Sequence, residues 1–246
     1  MSHSNQPQDT TAPNSGAHHG FVFDPGPRPS LAVTGRTERF PVNRIYCVGR
    51  NYADHAIEMG HDPKREEPFF FQKSPDCLVT AGGAFPYPDR SQDVHHELEL
   101  VVALGDGGKN IPLEGALGSV FGYAVGLDMT RRDLQGAAKK AGRPWDVGKA
   151  FDHSAPCSDI LPASSIGHPD KGRIHLTVNG RTRQDGDLSQ MIWKVPEIIN
   201  YLSGLFTLRA GDLIFSGTPA GVGPVQQGDH LEGSIEQIGK LTVEVT

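Results

Sequence analysis

Two glutamates at alternate positions within an apolar run are the residues of this sequence best suited to chemistry. Glu97 and Glu99 stand in His-His-Glu-Leu-Glu-Leu-Val-Val, residues 95–102. Successive side chains of a strand point to opposite faces, so the two carboxylates would share one face. Adjacent carboxylates repel each other unless a cation lies between them. A third acid, Asp128, ends the next β-like run at residues 120–128, and three carboxylates form an all-oxygen site of the kind that suits Mg²⁺ or Mn²⁺.

The acidic pair has two other interpretations. An edge strand that turns acidic side chains to solvent would show the same alternation. A zinc protease is disfavoured, because the His-His-Glu segment at residues 95–97 lacks the helical spacing of HExxH.

His55 and Glu58 form a second candidate pair. Residues three apart on a helix share a face, so the imidazole and the carboxylate can meet. A carboxylate that orients a histidine fixes its tautomer and prepares it as a general base. The alternative is a surface pair that stabilises the helix slightly.

Cations at the ends of apolar stretches form a third group. Lys73 follows Phe-Phe-Phe-Gln, and Lys149 lies in Trp-Asp-Val-Gly-Lys. A lysine in such a place either extends to the surface or stabilises an enolate or a substrate carboxylate. Arg132 and Gln135, three apart on the helix predicted after Asp128, would face the same site.

A glycine-rich loop at residues 215–224 follows a predicted strand. It matches neither GxGxxG nor a Walker A loop, so a nucleotide site gains little support. Its backbone N–H groups and the Thr218 hydroxyl could hold a carboxylate. A tight glycine turn explains the loop equally well.

The elements that must position these residues are mostly short strands. Strands are predicted at residues 44–49, 69–73, 98–104, 120–128, 174–178, 212–215, 230–237 and 241–245. Helices are predicted at residues 52–59, 130–140 and 195–205, the second opened by a capping box from Thr130 to Asp133. Asn179-Gly180 is a strong hairpin signal. Strands and helices do not alternate regularly, so the fold class is mainly β (α+β), with short helices inserted.

Composition limits what the whole chain can be. At 246 residues, with 37% hydrophobic residues and a net charge of −6, it suits one globular domain and no nucleic-acid partner. No apolar run reaches the roughly 18 residues of a membrane span. The three scattered cysteines indicate neither a disulfide framework nor a zinc cluster, and a cytoplasmic location is expected. Residues 1–20 are predicted to be a disordered tail, and residues 21–43 an extended lead-in.

Taken together, six segments resemble the fumarylacetoacetate hydrolase family, with the fumarylpyruvate or acylpyruvate hydrolase branch the most similar. They are Gly-Arg-Asn-Tyr-Ala-Asp-His (49–55), His-His-Glu-Leu-Glu (95–99), Gly-Leu-Asp-Met-Thr (126–130), Lys-Ala-Phe-Asp (149–152), Val-Asn-Gly (178–180) and Gly-Thr-Pro-Ala-Gly-Val-Gly (217–223). The resemblance covers residues 44–246 as one catalytic domain. It implies a mixed β-roll of the family's C-terminal-domain type, usually a homodimer.

The resemblance also assigns roles to residues. It implies that Mg²⁺ or Mn²⁺ is bound by Glu97, Glu99 and Asp128. It implies a His55–Glu58 dyad and an active-site lysine at Lys149. The substrate contacts that it implies are Lys73, Arg132, Gln135 and Thr218.

The reaction implied by the resemblance is hydrolysis of a carbon–carbon bond in a 2,4-dioxo acid. For fumarylpyruvate, the products would be fumarate and pyruvate, as in the breakdown of aromatic compounds through gentisate. Oxaloacetate decarboxylation and oxo-dienoate isomerisation remain open, because the same metal–enolate site would serve both. A domain that only binds a keto acid is the non-catalytic alternative.

Overall fold

The computed structural model describes residues 20–58 and 66–246, without the side chains of residues 55 and 56. The predicted tail therefore lies almost entirely outside the described residues. Within the described part, regular structure is mostly β. The strands are β1 (Ser30–Leu31), β2 (Phe40–Pro41), β3 (Arg44–Gly49), β4 (Phe69–Lys73), β5 (Leu78–Val79), β6 (Val94–His96), β7 (Leu98–Leu104), β8 (Val120–Leu127), β9 (Thr130–Arg131), β10 (Ala155–Pro156), β11 (Leu161–Pro162), β12 (Arg173–Val178), β13 (Arg181–Asp187), β14 (Asp212–Phe215), β15 (Gly223–Pro224), β16 (His230–Ile235) and β17 (Gly239–Glu244).

The helices are short and lie between the strands. The α-helices are α1 (Ala53–Glu58), α2 (Arg132–Lys140), α3 (Asp146–Lys149), α4 (Ala163–Ile166) and α5 (Val195–Leu205). Single turns of 3₁₀-helix lie at Pro75–Cys77 and Leu188–Gln190, and a longer one at Leu113–Ser119. No helix in residues 20–58 or 66–246 is long and apolar enough to cross a membrane.

The central sheet has six strands in the order β11-β8-β7-β14-β3-β4. Its β14–β3 pair is parallel and its other pairs are antiparallel. A four-stranded antiparallel sheet, β13-β12-β16-β17, packs nearby, and β15-β6-β9 form a smaller third sheet. The prediction of strands in mixed sheets with few short helices is confirmed.

The central sheet is buried on both faces, as the sequence of β7 illustrates. Every residue of β7 is buried. Leu98 and Leu100 join the larger apolar core, whereas Val101 and Ala103 join the smaller one on the opposite face. The predicted alternation is thus confirmed, and Glu99 shares the face of Val101.

Local turn chemistry explains the β12–β13 hairpin. Asn179 and Gly180 have φ values of 52° and 72°, and positive φ at both central residues is what the tightest hairpin turn requires. The prediction of a hairpin at Asn179-Gly180 is confirmed.

The predicted capping box of α2 is wrong. Thr130 belongs to strand β9, and α2 begins at Arg132 with no side-chain cap. The Asp133 carboxylate instead accepts hydrogen bonds from the Ser91 hydroxyl and the Gln92 N–H, at 2.7 and 3.0 Å. Asp133 therefore holds the loop before β6 against α2, a long-range contact that local spacing does not reveal.

Part of the predicted lead-in packs against the domain. Strands β1 and β2 pair with each other. The apolar side chains of this segment that join the smaller core are Leu31, Val33, Phe40 and Val42. The division into lead-in and catalytic domain remains a prediction.

Candidate metal centre and active site

Three buried carboxylates converge at the end of the central sheet. Glu97 lies between β6 and β7, Glu99 is in β7, and Asp128 directly follows β8. The antiparallel pairing of β7 with β8 places Leu98 opposite Leu127, so the two strand ends meet. One carboxylate oxygen from each acid lies within 4.8 Å of those of the other two. The side chains that the sequence places on neighbouring strands thus form one acidic cluster.

Lys149, at the end of α3, lies among these carboxylates. Its Nζ is 2.8 Å from Glu97 Oε2, 2.6 Å from Asp128 Oδ2 and 2.7 Å from Thr130 Oγ1. Its side chain is 3% exposed. Burying an ammonium group is tolerated only with such partners, because desolvation would otherwise drive off its proton.

Lys73 lies behind Asp128 at the end of β4. Its Nζ is 2.9 Å from Asp128 Oδ1 and donates to Ser154 Oγ at 2.9 Å. It also donates to the carbonyl oxygens of Met129 and Lys149. These contacts make Lys73 a support for Asp128 and for the end of α3.

Arg132 and Gln135 project from the first turns of α2 to the same place, as their spacing predicts. Arg132 pairs with Glu97 Oε1, and its Nη1 donates to Gln135 Oε1 at 2.7 Å. The Gln135 side chain is thereby oriented, with its amide nitrogen turned away from Arg132. Both residues line the cavity in front of the acidic cluster.

The electrostatics of the cluster follow from its burial. Burial and the neighbouring charges of Asp128 and Glu97 hold the pKa of Glu99 well above its usual range. Burial lowers the pKa of Lys149, but the charges of Asp128 and Glu97 outweigh it, and the pKa is raised overall. Lys149 is therefore a cation, and an added positive charge would favour ionised Glu99.

Thr218 is fixed beside the cluster by a network that the sequence did not predict. Its hydroxyl donates to the Leu98 carbonyl oxygen at 2.8 Å and accepts from Gln184 Nε2 at 2.7 Å. Gln184 lies in β13 and is fully buried. Its Oε1 accepts from the Leu98 N–H at 3.0 Å, so one amide joins the four-stranded sheet to the central sheet and to the glycine-rich loop.

The glycine-rich loop also contacts the cluster through its backbone. The Gly217 N–H donates to Glu99 Oε2 at 2.8 Å. The Gly221 N–H donates to both carboxylate oxygens of Glu58, at 3.2 and 3.1 Å. The loop therefore lies between Glu99 and helix α1, which carries Glu58.

Most of the predicted site residues line one cavity of about 250 Å³. Those in its wall are Glu97, Glu99, Asp128, Lys149, Arg132, Gln135 and Thr218. Residue 55 lies in α1, but the predicted side-chain role of His55 falls outside the described residues. Glu58 reaches the glycine-rich loop rather than the cavity wall.

The donor set fits a hard divalent cation. Each acid is almost fully buried, at 5% exposure for Glu97, 2% for Glu99 and 0% for Asp128. Oxygen-only ligands of this kind suit Mg²⁺ and Mn²⁺. The raised pKa of Glu99 also reflects the concentration of buried negative charge. Such a cluster favours the binding of either a proton or a cation.

A mixed β-fold with a buried acidic triad in the wall of a cavity is the architecture of a protein able to hold a hard divalent cation. The chain belongs to the fumarylacetoacetate hydrolase family, because the model of the fumarylacetoacetate hydrolase C-terminal domain matches residues 44–246. This family assignment confirms the resemblance noted in the sequence.

Its relatives include hydrolases and tautomerases. A crystal structure of fumarylpyruvate hydrolase from Pseudomonas aeruginosa, in complex with Mn²⁺ and pyruvate, is 52% identical with a TM-score of 0.90, covering 92% of this chain and 99% of that one. The Ralstonia sp fumarylpyruvate hydrolase is 44% identical over 75% of this chain and 95% of its own length. The human mitochondrial oxaloacetate tautomerase FAHD1 is 43% identical over 82% and 90%.

Sequence reasoning did not identify two of the residues that position the site, Gln184 and Asn51. Gln184 lies in a strand whose residues, Arg-Thr-Arg-Gln-Asp-Gly-Asp, carry no apolar alternation. Asn51 is 1% exposed and donates to the carbonyl oxygens of Trp193 and Ser216, at 2.9 and 2.8 Å. An asparagine within Gly-Arg-Asn-Tyr is the one signal that could have indicated such an anchor.

Proposed function

We propose that this protein hydrolyses a carbon–carbon bond in a 2,4-dioxo acid, with fumarylpyruvate as the substrate and fumarate and pyruvate as products. The observation that carries the proposal is the buried Glu97, Glu99 and Asp128 triad, paired with Lys149, in the wall of one cavity. The relative from Pseudomonas aeruginosa, a fumarylpyruvate hydrolase in complex with Mn²⁺ and pyruvate, supports the same assignment.

In this proposal, Glu97, Glu99 and Asp128 hold Mg²⁺ or Mn²⁺. The bound ion supplies positive charge that polarises the substrate's oxo oxygen and offsets the charge of the leaving pyruvate enolate. Arg132 and Gln135 orient the substrate from α2, and Thr218 from the glycine-rich loop. Lys73 acts by supporting Asp128.

The proposed chemical steps use His55 as the base and Lys149 as the cation that stabilises the enolate. His55, with Glu58 as its carboxylate partner, takes a proton from water, and the hydroxide adds to the carbonyl carbon distant from the substrate's keto acid end. The bond between that carbon and the pyruvate unit breaks, and the electron pair remains on the pyruvate carbon. Lys149 stabilises this enolate through its charge. The proton that His55 took from water then completes pyruvate, and the other product is fumarate.

A second candidate function follows from the similarity to oxaloacetate tautomerase. Oxaloacetate presents the same carboxylate and 2-oxo oxygens, and its enol and keto forms differ by one proton transfer. Decarboxylation of oxaloacetate and isomerisation of an oxo-dienoate also need enolate stabilisation without an attacking water. Decarboxylation should therefore tolerate His55→Ala better than hydrolysis does.

Parallel assays with Mg²⁺ or Mn²⁺ test the proposal. We expect fumarylpyruvate to disappear with equimolar release of fumarate and pyruvate, and EDTA to stop the reaction. Asp128→Asn should lower the rate by at least about 100-fold. Asp89→Asn, on an exposed turn, is the control and should leave it unchanged.

The assay with oxaloacetate distinguishes the hydrolase from the decarboxylase and the tautomerase. Pyruvate formed from oxaloacetate, without loss of fumarylpyruvate, would establish a decarboxylase and contradict the proposal. Interconversion of enol and keto oxaloacetate alone would establish a tautomerase. Full activity of Asp128→Asn in EDTA would refute the metal assignment itself.

We also propose a homodimer, from the family resemblance, and a cytoplasmic location, from the scattered cysteines. Light scattering on the purified protein measures the mass, and a value of one chain would contradict the dimer. Fractionation of the source cells tests the location, since the human relative is mitochondrial.

A further inference from the structure

We propose that Arg50 binds the second carboxylate of a dicarboxylate substrate and so selects dicarboxylate over monocarboxylate oxo acids. This inference rests on the proposed function, because it names the part of the substrate that lies away from the metal. Arg50 lies in the wall of the cavity that contains the acidic triad, and it also lines an adjoining cavity near Trp145.

A series of aromatic rings connects Arg50 to the reactive end of the cavity. The Arg50 guanidinium carbon is 5.0 Å from the centre of the Phe69 ring. The Phe69 and Trp145 ring centres are 5.3 Å apart, and those of Trp145 and Phe71 are 6.0 Å apart. Lys149 Nζ lies 5.0 Å from the centre of Phe71. Flat, apolar surfaces of this kind suit a planar conjugated chain with a charged group at each end.

Charge balance indicates why a further cation is needed. With a divalent ion bound, Glu99 would also be ionised. The three negative charges of the triad would then face the positive charges of Lys73, Lys149 and Arg132 and two more on the ion, which leaves a surplus of two positive charges. That surplus matches one substrate carboxylate and one developing enolate, but not a second carboxylate. A second carboxylate in a partly buried place requires its own partner.

Arg50 can supply that partner. Lys73, Lys149 and Arg132 are each paired with a carboxylate of the triad. Arg50, by contrast, contacts the Phe69 ring and, in the part of the chain that the structure describes, pairs with no carboxylate. Its planar guanidinium can bind a carboxylate through two parallel hydrogen bonds.

The local backbone fixes Arg50 in this place. Arg50 has φ of 55°, in the left-handed region that non-glycine residues rarely adopt. On one side, a Cβ atom at Gly49 would lie 2.0 Å from the Phe69 ring, so only glycine lets that ring pack here. On the other side, Asn51 is held by backbone groups of Trp193 and Ser216. Such strain persists where the surroundings impose it, often at ligand sites.

The test compares two seven-carbon ligands that differ in the second carboxylate alone. These are 2-oxoheptanedioate and 2-oxoheptanoate, which lack a 4-oxo group and so are not cleaved. Calorimetric titration into the Mn²⁺-loaded protein should show tighter binding of the dicarboxylate. Arg50→Gln should weaken dicarboxylate binding by about 10- to 100-fold and change monocarboxylate binding by less than about threefold.

Control variants separate this role from a structural one. Arg50→Lys keeps the charge and should retain part of the preference. Arg90→Gln, at an exposed position, should leave both affinities unchanged. Equal loss for both ligands in Arg50→Gln and Arg50→Lys, or an unchanged preference in Arg50→Gln, would overturn the inference.

The same titration distinguishes failure of the inference from failure of the proposed function. A wild-type protein that prefers the dicarboxylate but does not cleave fumarylpyruvate would refute the hydrolase assignment and leave the role of Arg50 intact. A wild-type protein that cleaves fumarylpyruvate without preferring the dicarboxylate would refute the role of Arg50.

Discussion

At the scale of single residues, Lys149 determines how three acids can share a buried site. It lies within 2.8 Å of both Glu97 and Asp128, and no carboxylate pair could remain ionised there without such neighbours. Lys73 and Arg132 complete the balance from the other sides. These cations therefore offset the charges of Glu97 and Asp128, and the cluster remains able to accept a further cation beside Glu99.

Substitution of Lys149 by methionine tests whether the buried carboxylates depend on its positive charge. We expect Lys149→Met to lower the free energy of unfolding of the metal-free protein by about 3 kcal/mol, because it leaves buried carboxylates poorly paired. Added Mn²⁺ should stabilise Lys149→Met more than the wild type, since the ion supplies the missing charge. Turnover should fall by at least about 100-fold. Thermal unfolding with and without Mn²⁺, alongside a rate assay, measures all three.

Lys140→Met provides the matched control, because Lys140 is exposed in the last turn of α2. It should change neither stability nor turnover. A Lys149→Met protein as stable as the wild type without metal would show that the carboxylates do not depend on the ammonium group.

At the scale of elements, the glycine-rich loop between β14 and β15 connects parts of the site that are distant in sequence. It contacts Glu99 through Gly217, β13 through Thr218 and helix α1 through Gly221. Gly221 has φ of 94°, and a Cβ atom there would lie 2.0 Å from the Arg183 carbonyl oxygen. Glycine is required at this position for two reasons: the backbone is in the left-handed region, and β13 approaches too closely for a side chain.

Two glycine substitutions separate these requirements. Gly221→Ala should destabilise the protein by about 3 kcal/mol or more, because left-handed strain is added to a backbone clash. Gly228→Ala should cost about 1 kcal/mol, since Gly228 has φ of 87° with nothing within 4 Å of an added Cβ. Urea unfolding of both variants measures the difference. Equal losses in the free energy of unfolding would mean that the close approach of β13 to Gly221 adds nothing to the cost of the Gly221→Ala substitution.

At the scale of the whole molecule, the smaller apolar core accounts for the cysteines. Cys47, Cys77 and Cys157 are all buried in it as free thiols. Burial raises the pKa of Cys47 and of Cys157, and nearby acids raise both further. These thiols are therefore apolar packing groups rather than nucleophiles.

Thiol labelling tests this conclusion. At pH 8, a disulfide reagent should leave the native protein essentially unlabelled, because burial removes access to all three thiols and the raised pKa of Cys47 and Cys157 also removes thiolate. After denaturation, all three thiols should react. Rapid labelling of one thiol in the native protein would show that the smaller core opens to solvent.

The sequence by itself determined the longer strands of the central sheet and the three acids at their ends. Alternation at residues 97–102 placed Glu99 on one face of β7, and a strand ending near Asp128 supplied the third acid. Asn179-Gly180 specified its hairpin. These features are predictable because strand periodicity and turn conformation depend on neighbouring residues.

Only the tertiary structure decided which groups support the triad. Lys73 meets Asp128 across 55 positions of sequence, and Gln184 meets Leu98 across 86. The failed capping box at Thr130 has the same origin, because Asp133 is held by the distant Ser91. Such contacts depend on the register and packing of whole sheets, in which each pairing is fixed by many others at once. The spacing of neighbouring residues does not specify that register. The positions of Gln184 and Arg50 at the site could therefore be identified only from the tertiary structure.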